Sequence, residues 1–498
     1  MDITTLPPAS DLGEGGAFDS TSVADPHLPL CVDLDGTLIK SDVFFESMLA
    51  LLKKSPWAIF PLLWWSLRGW SFLKRRVALQ VPLRVEMLPY RQEVLEFLQG
   101  ERESGRRILL VTAADQAVAE AIGNYLGQFD AVYGSDGRMN LKGRAKAGFL
   151  AGMFGTNHFD YIGDSYADLP VWTAARFAYV VGDERIAKRV ARKTRVARIF
   201  EVSRPSVSAW LRSIRLLHWS KNLLLLLPVL LAHRFNWPAW RDSLIGFALF
   251  GACASGLYIF NDLLDLHSDR LHPAKSKRPF AAGEFPLWVG VAESASLVGT
   301  SLLVSFFLNW VFATALLGYS ALTILYSWKL KKVPLLDVFV LSSFYSIRIW
   351  SGGIISGIPV SDWLTAFSLF FFLSLAMAKR YSELECAAKL VEGGNSGRGY
   401  VLKDRDLLAM FGTASSFAAV VILCLYARSP EMNSLYGSPT ELLWLCPLVL
   451  YWLTRVWLLA GRGELDHDPV LFAIGDRTSW VLATIAVIVL AIGGFRTR

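Results

Sequence analysis

Long apolar stretches recur along the chain after about residue 215, whereas residues 25–205 alternate short apolar runs with charged, helix-forming segments. The later stretches are roughly 17–22 residues long and are separated by short charged loops, as helices that cross a bilayer require. The pattern predicts about nine membrane-spanning helices, near residues 222–234, 243–260, 287–308, 310–328, 335–351, 363–379, 407–427, 441–460 and 479–495. Pro228 interrupts the first of them, and the third and fourth almost merge at Asn309.

The pattern changes once, near residues 188–204, a segment rich in Arg and Lys. We therefore expect a lead-in over residues 1–27, a soluble domain over 28–200, a linker over 201–220 and a membrane domain over 221–498. The lead-in is polar and rich in Gly, Ser and Pro. It predicts a disordered segment rather than a cleavable signal peptide.

Composition and charge agree with a membrane portion. The 498 residues are 53% hydrophobic and include 18 Trp, which is too apolar for an ordinary soluble protein. The formal net charge of +7 is typical of a membrane protein whose cytoplasmic loops are rich in Lys and Arg. We therefore expect no nucleic-acid partner. If the soluble domain is cytoplasmic, the inside loops are the basic ones (270–278, 329–332, 379–405 and 462–477), against Arg234, Arg241 and Arg428 outside. The five cysteines lack the spacing of a metal site or a disulfide framework.

An acidic motif lies between the second and third predicted spans. Its polar residues recur at intervals of three and four after the first pair: Asn261, Asp262, Asp265 and Asp269. A helix continuing from the span would place the carboxylates on one face, where oxygen-only ligands of this charge density suit Mg²⁺ together with substrate phosphates. Lys275 and Arg278, which follow, could bind the same anion. The alternative is a solvated acidic helix end with a basic flank.

This motif resembles the NDxxDxxxD signature of the UbiA-type intramembrane prenyltransferase superfamily, and the resemblance covers residues from about 210 to the C-terminus. It implies an all-α membrane domain of about nine helices in which Asp262, Asp265 and Asp269 hold Mg²⁺. Members usually have a second Asp-rich motif after the sixth span. Residues 378–385 read AKRYSELE instead, which disfavours ordinary aromatic prenylation.

Three further segments resemble the decaprenyl-phosphate phosphoribosyltransferase branch of that superfamily. They are HWSKN at 218–222, KRYSE at 379–383, and DHDPV at 466–470 followed by Asp476 and Arg477. The resemblance implies that phosphoribosyl diphosphate is the donor and a polyprenyl phosphate the acceptor. A donor with so many phosphate charges needs cations and polar partners. We expect substrate-binding residues at Lys221, Asn261, Lys275, Arg278, Lys329, Arg348, Lys379, Arg380, Tyr381 and Glu383.

The implied reaction is displacement at the anomeric carbon of the ribose by an oxygen of the lipid phosphate, with Mg²⁺ stabilising the departing diphosphate. It needs no protein nucleophile. The main alternative is an aromatic prenyltransferase of quinone or haem biosynthesis, which would ionise a prenyl diphosphate at the same aspartates. A membrane scaffold with a phosphate-sensing head is the non-enzymatic alternative.

Four segments of the N-terminal half occur in the order found in phosphatases of the haloacid dehalogenase (HAD) type. They are CVDLDGTL at 31–38, LLVT at 109–112, Lys142 or Lys146 in a polar stretch, and GDSYAD at 163–168. The resemblance implies an α/β domain of Rossmann type with a helical cap over about residues 42–90. It also implies that Asp33 is the nucleophile and Asp35 the general acid and base. Thr112 and Lys146, favoured over Lys142, would hold the phosphoryl group, and the Mg²⁺ ligands would be Asp33, Asp35, Asp164 and Asp168.

A Trp-rich apolar insertion follows the first of these motifs. It reads WAIFPLLWWSLRGW at 57–70, between basic residues at 53–54 and 74–76. The segment is too short and too interrupted for a span. Two interpretations stay open, a cap that enters the membrane interface to reach a lipid-linked substrate and a purely packed cap.

The two halves suggest successive steps. Transfer from phosphoribosyl diphosphate leaves a 5-phosphate on the lipid-linked sugar, which a phosphatase would remove. The fusion therefore predicts synthesis of a lipid-phosphate pentose donor for cell-wall or secreted glycans. We expect the enzyme in a bacterial inner membrane, with the HAD domain and the acidic loops on the cytoplasmic side.

Overall fold

The structure is a computed structural model that describes residues 27–136, 139–202, 205–233, 236–390, 399–429, 439–465 and 469–495. The chain forms two compact units. The first comprises Met1–Trp210 and Asp262–Gly290, and the second comprises Leu211–Asn261 and Val291–Arg498. The disorder predicted for the lead-in falls, up to residue 26, outside the described residues.

A parallel sheet organises the first unit. Its strands have the order β3-β2-β1-β4-β5-β6 and the bounds Leu30–Val32 (β1), Ile108–Asp115 (β2), Ala131–Ser135 (β3), Asp160–Gly163 (β4), Phe177–Gly182 (β5) and Arg195–Glu201 (β6). Along β1, Leu30 and Val32 enter one apolar cluster while Cys31 enters the other, so both faces of the sheet are buried. Burial on both faces is typical of parallel sheets covered by helices. The predicted α/β domain is confirmed.

Helices connect these strands. Their bounds are Val43–Lys54 (α1), Ile59–Ser66 (α2), Trp70–Gln80 (α3), Gln92–Glu103 (α4), Gln116–Leu126 (α5), Arg144–Phe154 (α6), Leu169–Ala174 (α7), Glu184–Ala191 (α8) and Val207–Ser213 (α9), with 3₁₀ turns at Pro56–Ala58, Val85–Met87 and Tyr166–Asp168. Asp42 caps α1 by accepting hydrogen bonds from the amides of Phe44 and Phe45, at 2.9 and 3.2 Å. Helices α1 to α3 lie in the region where the sequence predicts a helical cap, and their role as a cap stays a prediction.

The second unit is helical. The helices that follow α9 are Leu227–Leu231 (α10), Trp237–Leu264 (α11), Leu266–Leu271 (α12), Leu287–Leu308 (α13), Trp310–Trp328 (α14), Leu336–Ser356 (α15), Asp362–Leu390 (α16), Arg405–Ala427 (α17), Leu445–Arg462 (α18), Pro469–Gly475 (α19) and Arg477–Phe495 (α20). Helix α12 and the ends of α11 and α13 nearest to it group with the first unit. Further 3₁₀ segments are Leu216–Leu226, Lys275–Lys277, Leu330–Lys332, Leu402–Asp404 and Pro439–Trp444.

Seven helices of the described residues are long and apolar enough to cross a membrane, and a bent pair at Val207–Ser213 and Leu216–Leu231 raises the number to eight. The predicted count of nine is therefore not confirmed. The first predicted span is a 3₁₀ segment followed by a short helix, and Arg215 adopts φ +51 where the bent pair breaks. The last apolar stretch, Arg477–Ile492, belongs to the shorter apolar helices.

The separation between the third and fourth predicted spans is confirmed. Asn309 ends the first of these helices and caps the second, since its side chain accepts hydrogen bonds from the amides of Val311 and Phe312 at 3.0 and 3.1 Å. An Asn cap satisfies amides that have no partner inside the helix. A single polar residue therefore ends one apolar helix and begins the next.

Candidate functional site

The first candidate site lies at the carboxyl ends of the central strands. Asp33 follows β1, Thr112 lies in β2 and Asp164 follows β4. Strand β1 pairs with both β2 and β4, so three segments that are distant in sequence meet at one edge. In open parallel sheets, ligands bind outside the carboxyl ends of the strands where the strand order reverses.

Three carboxylates at this edge could hold a metal ion. One oxygen atom from each of Asp33, Asp164 and Asp168 lies within 4.8 Å of the others. Burial, together with the charges of Asp33 and Asp168, raises the pKa of Asp164 to about 8. Gly36 makes room for the group, because it adopts φ +75 and a Cβ there would collide with the Asp164 carboxylate. This all-oxygen donor set fits the predicted Mg²⁺.

Lys146 lies beside the same carboxylates. Its Nζ atom is 2.8 Å from Asp33 Oδ2 and donates to the Tyr161 hydroxyl at 2.8 Å, and that hydroxyl donates to Asp168 at 3.0 Å. Burial alone would lower the pKa of Lys146, but the charges of Asp33 and Asp168 raise it above its usual value. Lys142 is exposed. Of the two lysines that the sequence offers, Lys146 is therefore the one that the structure brings to Asp33, the predicted nucleophile.

Asp35 and Thr112 are held by backbone amides. Asp35 Oδ1 accepts from the Val43 amide at 2.8 Å, and burial followed by the charge of Asp42 raises the pKa of Asp35 well above its usual value. A carboxyl group that retains its proton suits a general acid. Its carboxylate is not part of the close group of three among the described residues, so its predicted metal ligation gains no support. The buried Thr112 hydroxyl accepts from the Ala114 amide at 3.0 Å.

The acidic motif of the membrane half forms a second candidate site. The continuous helix predicted for it is wrong, because α11 ends just before Asp265, which adopts φ −96 and ψ 9 ahead of α12. Two carboxylates still face a common cation. Arg278 Nη1 lies 2.8 Å from Asp262 Oδ1 and 2.6 Å from Asp269 Oδ2, and both aspartates are buried. Burial raises the pKa of Asp269 although the Arg278 charge lowers it.

The third carboxylate of the motif has another partner. Lys53 Nζ lies 3.1 Å from Asp265 Oδ1. Within the part of the chain that the structure describes, Asp262, Asp265 and Asp269 do not form a close carboxylate group. Their oxygen donors fit the chemistry of Mg²⁺, and each already faces a positive charge. Binding of Mg²⁺ by these three residues stays a prediction. So does substrate binding by Asn261, which lies in the last turn of α11.

A buried ion pair next to this motif was not predicted. Arg270 donates to both carboxylate oxygens of Glu46, at 2.6 and 3.2 Å, and the Glu46 side chain is fully buried. Arg270 also donates to the Met87 carbonyl at 3.2 Å. The sequence shows a signal for Glu46, because it is an acidic residue within the otherwise apolar run of α1. The pair joins residues 224 positions apart, which no local pattern reveals.

Lys221 and Arg348 approach the same aromatic ring in the second unit. The Lys221 ammonium lies 5.8 Å and the Arg348 guanidinium 5.9 Å from the Tyr345 ring centre. Arg348 is buried and donates to Asn222 Oδ1 and the Tyr319 hydroxyl, both at 2.9 Å. Neutral oxygen atoms and the faces of aromatic rings therefore stabilise the guanidinium charge of Arg348 inside an apolar helix. The structure thus brings together two of the predicted substrate-binding cations.

Arg380, also predicted to bind substrate, lies in a different cluster. It donates to Asp337, to Glu383 Oε2 at 2.7 Å and to the Tyr326 hydroxyl at 3.0 Å. The Tyr400 hydroxyl donates to the same Asp337. Asp337 and Tyr400 were not predicted. These contacts favour a role for Arg380 in packing, and its role in substrate binding stays a prediction.

The remaining predicted substrate-binding residues occupy a turn, a helix end and a helix. Lys275 opens the 3₁₀ turn Lys275–Lys277, Lys329 follows α14, and Lys379 lies in α16. Tyr381 lies in the same helix, with its ring centre 5.9 Å from that of Trp457. The DHD part of the C-terminal segment, 466–468, lies outside the described residues.

Comparison with known proteins adds family relationships. The model of the UbiA prenyltransferase family matches residues 222–475, and that of the haloacid dehalogenase-like hydrolases matches residues 30–172. An uncharacterised protein, y4nM, of Sinorhizobium fredii is 39% identical over 470 residues, covering 93% of this chain and 90% of the relative.

Two further similarities concern named or solved proteins. A decaprenyl-phosphate phosphoribosyltransferase of Mycolicibacterium smegmatis is 33% identical over 288 residues, covering 55% of this chain and 89% of the relative. A solved UbiA homolog from Archaeoglobus fulgidus, bound to GPP and Mg²⁺, is 18% identical with a TM-score of 0.44, covering 57% of this chain and 99% of that one.

Proposed function

Because the chain belongs to the UbiA prenyltransferase family and has a haloacid dehalogenase-like domain in its N-terminal half, we propose that it transfers a 5-phosphoribosyl group from phosphoribosyl diphosphate to a polyprenyl phosphate and releases diphosphate. The two domains are those of a polytopic membrane enzyme with transferase and phosphatase activity. The observation that carries the proposal is Arg278 between two buried aspartates. Relatives of the phosphoribosyltransferase branch support the choice of donor.

Arg278 has a specific role in this proposal. Its two carboxylate partners and a diphosphate compete for one guanidinium, and guanidinium binds phosphate oxygens as well as carboxylates. On donor binding, Arg278 exchanges Asp262 and Asp269 for phosphate oxygens, and the freed carboxylates become available to a cation. Lys275, three residues earlier, adds a second positive charge to the same turn.

The transfer step is a displacement at carbon. An oxygen of the lipid phosphate forms a bond to the anomeric carbon of the ribose, while the bond from that carbon to the diphosphate oxygen breaks and the diphosphate leaves with the electron pair. Arg278 and Lys275 stabilise the charge on the leaving group. Bound Mg²⁺ would add charge neutralisation, held by Asp262, Asp265 and Asp269 in the transferase and by Asp33, Asp164 and Asp168 in the phosphatase.

The HAD domain then removes the 5-phosphate from the lipid-linked product. Asp33 attacks phosphorus and forms an aspartyl phosphate, while Asp35 gives its proton to the departing ribose oxygen. Asp35 next accepts a proton from the water that hydrolyses the aspartyl phosphate. Lys146 and Thr112 stabilise the transferring phosphoryl oxygens, and the 2.8 Å contact between Lys146 and Asp33 places the lysine beside the nucleophile. The product is a lipid-phosphate pentose, a donor for cell-wall or secreted glycans.

We place the enzyme in the bacterial inner membrane with the HAD domain and the acidic loop on the cytoplasmic side. Positively charged loops favour that side of a membrane. Loops rich in Lys and Arg follow α12 and α14. A highly charged donor such as phosphoribosyl diphosphate cannot enter the apolar core of a bilayer without a large desolvation cost. This orientation therefore gives the acidic motif access to a donor dissolved in the cytoplasm.

The test uses the purified full-length protein in detergent with Mg²⁺, labelled phosphoribosyl diphosphate and a polyprenyl phosphate. We expect label in the lipid phase, followed by release of inorganic phosphate. Asp262→Asn should abolish both signals. Asp33→Asn should abolish only phosphate release and leave a phosphorylated lipid product. Asp242→Asn, which alters a partly exposed aspartate paired with Arg241, is the matched control and should retain both signals.

A different substrate would contradict the proposal. If no label enters the lipid but a prenyl diphosphate reacts with an aromatic acceptor, the membrane half is an aromatic prenyltransferase. If label enters the lipid and Asp33→Asn releases phosphate as fast as the unmodified protein, the HAD domain has no part in processing the product.

A further inference from the structure

The cap of the HAD domain exposes a large apolar face. Seven large apolar side chains within residues 57–70 are 43–82% exposed: Trp57, Ile59, Phe60, Leu63, Trp64, Leu67 and Trp70. The opposite side of the same segment is also apolar, since Ala58 and Leu62 pack with Leu51, Leu73 and Val77. A helix on a soluble surface is normally polar on its outer side. We call residues 57–70 the cap face.

Along the chain, the segment that carries the cap face has charge of one sign, although Lys53 and Arg75 pair with carboxylates from other segments. No Asp or Glu occurs between Glu46 and Glu86, whereas seven cations do: Lys53, Lys54, Arg68, Lys74, Arg75, Arg76 and Arg84. The Arg68 guanidinium lies 5.4 Å from the Trp64 ring and 5.6 Å from the Phe72 ring. Tryptophan and arginine side by side are characteristic of the membrane interface, where rings enter the headgroup layer and cations meet anionic lipids.

We propose that the cap face inserts into the surface of an anionic bilayer. The described residues include seven helices that can span a membrane, so a bilayer is always present at high effective concentration. Soluble monomers rarely expose an apolar patch of this extent. A protein partner recognised through these cations would need acidic groups facing them, whereas anionic headgroups supply such charge over any area.

Helix α3 connects the cap face with strand β2, which contains Thr112. It begins at the exposed Trp70. Further along it, Lys74 Nζ donates to the Ala113 carbonyl at 2.8 Å and Arg75 Nη1 lies 3.0 Å from Asp115 Oδ1. Both acceptors are in β2, next to the Thr112 of the phosphatase site. A cap held at the bilayer therefore presents the site to phosphate esters carried by lipids. This step rests on the phosphatase role proposed above and narrows its substrate class to lipid-linked phosphomonoesters.

Fluorescence in nanodiscs tests the docking itself. In the full-length protein with its five native cysteines replaced by alanine, Leu63→Cys is labelled with an environment-sensitive fluorophore, and nitroxide lipids are added to discs of phosphatidylcholine and phosphatidylglycerol. We expect strong quenching at position 63 and weaker quenching when phosphatidylglycerol is omitted. Tyr125→Cys, a similarly exposed position on α5 of the same domain, is the control and should not be quenched.

Kinetics tests the consequence for the substrate. A triple variant, Trp57→Gln with Phe60→Gln and Trp64→Gln, is compared on a polyprenyl-phosphate-linked ribose 5-phosphate in nanodiscs and on p-nitrophenyl phosphate in solution. The KM for the lipid substrate should rise by about tenfold or more relative to that for the soluble ester, since three large apolar side chains lose their burial. Tyr125→Gln should leave this ratio unaltered.

The outcomes separate the two proposals. Equal quenching at positions 63 and 125, or an unaltered KM ratio in the triple variant, would overturn insertion of the cap face. A blue-shifted fluorophore that nitroxide lipids do not quench would also overturn it and would indicate a protein surface. If the unmodified protein hydrolyses neither ester, the phosphatase role fails, and quenching alone decides whether the cap face enters the bilayer.

Discussion

Lys146 and Lys142 are four residues apart in a polar segment; the sequence favours Lys146, and the folded chain places the two lysines differently. Lys146 Nζ contacts Asp33 at 2.8 Å, whereas Lys142 is exposed. We predict that Lys146→Ala lowers the phosphatase kcat by about 10²–10³-fold, the usual effect of removing one stabiliser of transition-state charge. Lys142→Ala should stay within about twofold, as is usual for a change away from the reacting atoms. Hydrolysis of p-nitrophenyl phosphate measures both, and a reversed order would assign the phosphoryl contact to Lys142.

Arg380 allows a second test at the scale of single residues. Breaking its buried pair with Asp337 leaves an uncompensated charge, which costs about 3–5 kcal/mol in the free energy of unfolding. We therefore predict that Arg380→Met lowers the melting temperature in detergent by several degrees. The control Arg405→Met removes a partly exposed pair with Glu385 and should lower the melting temperature by less. An unchanged melting temperature with a much higher KM for the donor would instead show that Arg380 binds phosphate.

The structure brings together predicted residues that belong to local motifs, whereas the sequence gives no signal for partners that are distant along the chain. Asp33, Thr112 and Asp164 each follow or lie in a buried strand, and parallel strands bring such positions together. The partners of Arg270 and Arg380 were missed because they lie 224 and 43 residues away. Periodicity and motif spacing describe neighbours along the chain and give no pairing information over such separations.

At the scale of elements, the apolar pattern predicts where spans lie but not where helices break. Asn309 is visible as a polar residue between two apolar runs, and it does cap α14. The break at Asp265 and the bend at Arg215 have no comparable signal, since they depend on backbone angles of single residues. The sequence analysis therefore misses both the break at Asp265 and the bend at Arg215. Apolar length alone cannot distinguish a straight α-helix from a 3₁₀ segment joined to a short helix.

The contact between α1 and α12 gives a prediction about two elements. Because Glu46 holds the arginine directly after Asp269, loss of the pair should displace the acidic motif and slow the transfer step. Glu46→Gln and Arg270→Met should each lower the rate, and the double variant should be no slower than the worse single one. A double-mutant cycle should give a coupling of about 0.5–3 kcal/mol in the activation free energy.

An exposed pair provides the comparison for this cycle. Glu184 and Lys188 are one turn apart on α8, and their side chains are 77% and 71% exposed. The same cycle on Glu184→Gln and Lys188→Met should show coupling below about 0.5 kcal/mol. Additive effects of Glu46→Gln and Arg270→Met on the transfer rate would mean that the two residues act independently. Helix α1 would then have no part in positioning the acidic motif.

At the scale of the whole molecule, a linear division of the chain differs from its division into compact units. Composition places residues 262–290 in the membrane part, yet this segment groups with the first unit. The reason is visible in its contacts, because Arg270 binds Glu46 and Met87, and Asp265 binds Lys53. Hydropathy describes the solvent that a segment prefers, and it does not describe which part of the chain the segment binds.

The proposed orientation leads to a prediction for the intact membrane. Lys332 lies in the basic turn after α14. Pro359 lies in the turn between α15 and α16, and that turn contains no Lys or Arg. Both positions are exposed, and one apolar helix of spanning length separates them. If basic loops face the cytoplasm, these two turns lie on opposite sides of the bilayer. In a background without native cysteines, a membrane-impermeant maleimide should label Pro359→Cys in intact cells and Lys332→Cys only after lysis. Labelling of Lys332→Cys in intact cells would place the basic loops outside. The acidic motif would then face the outside of the cell and would have no access to a donor in the cytoplasm.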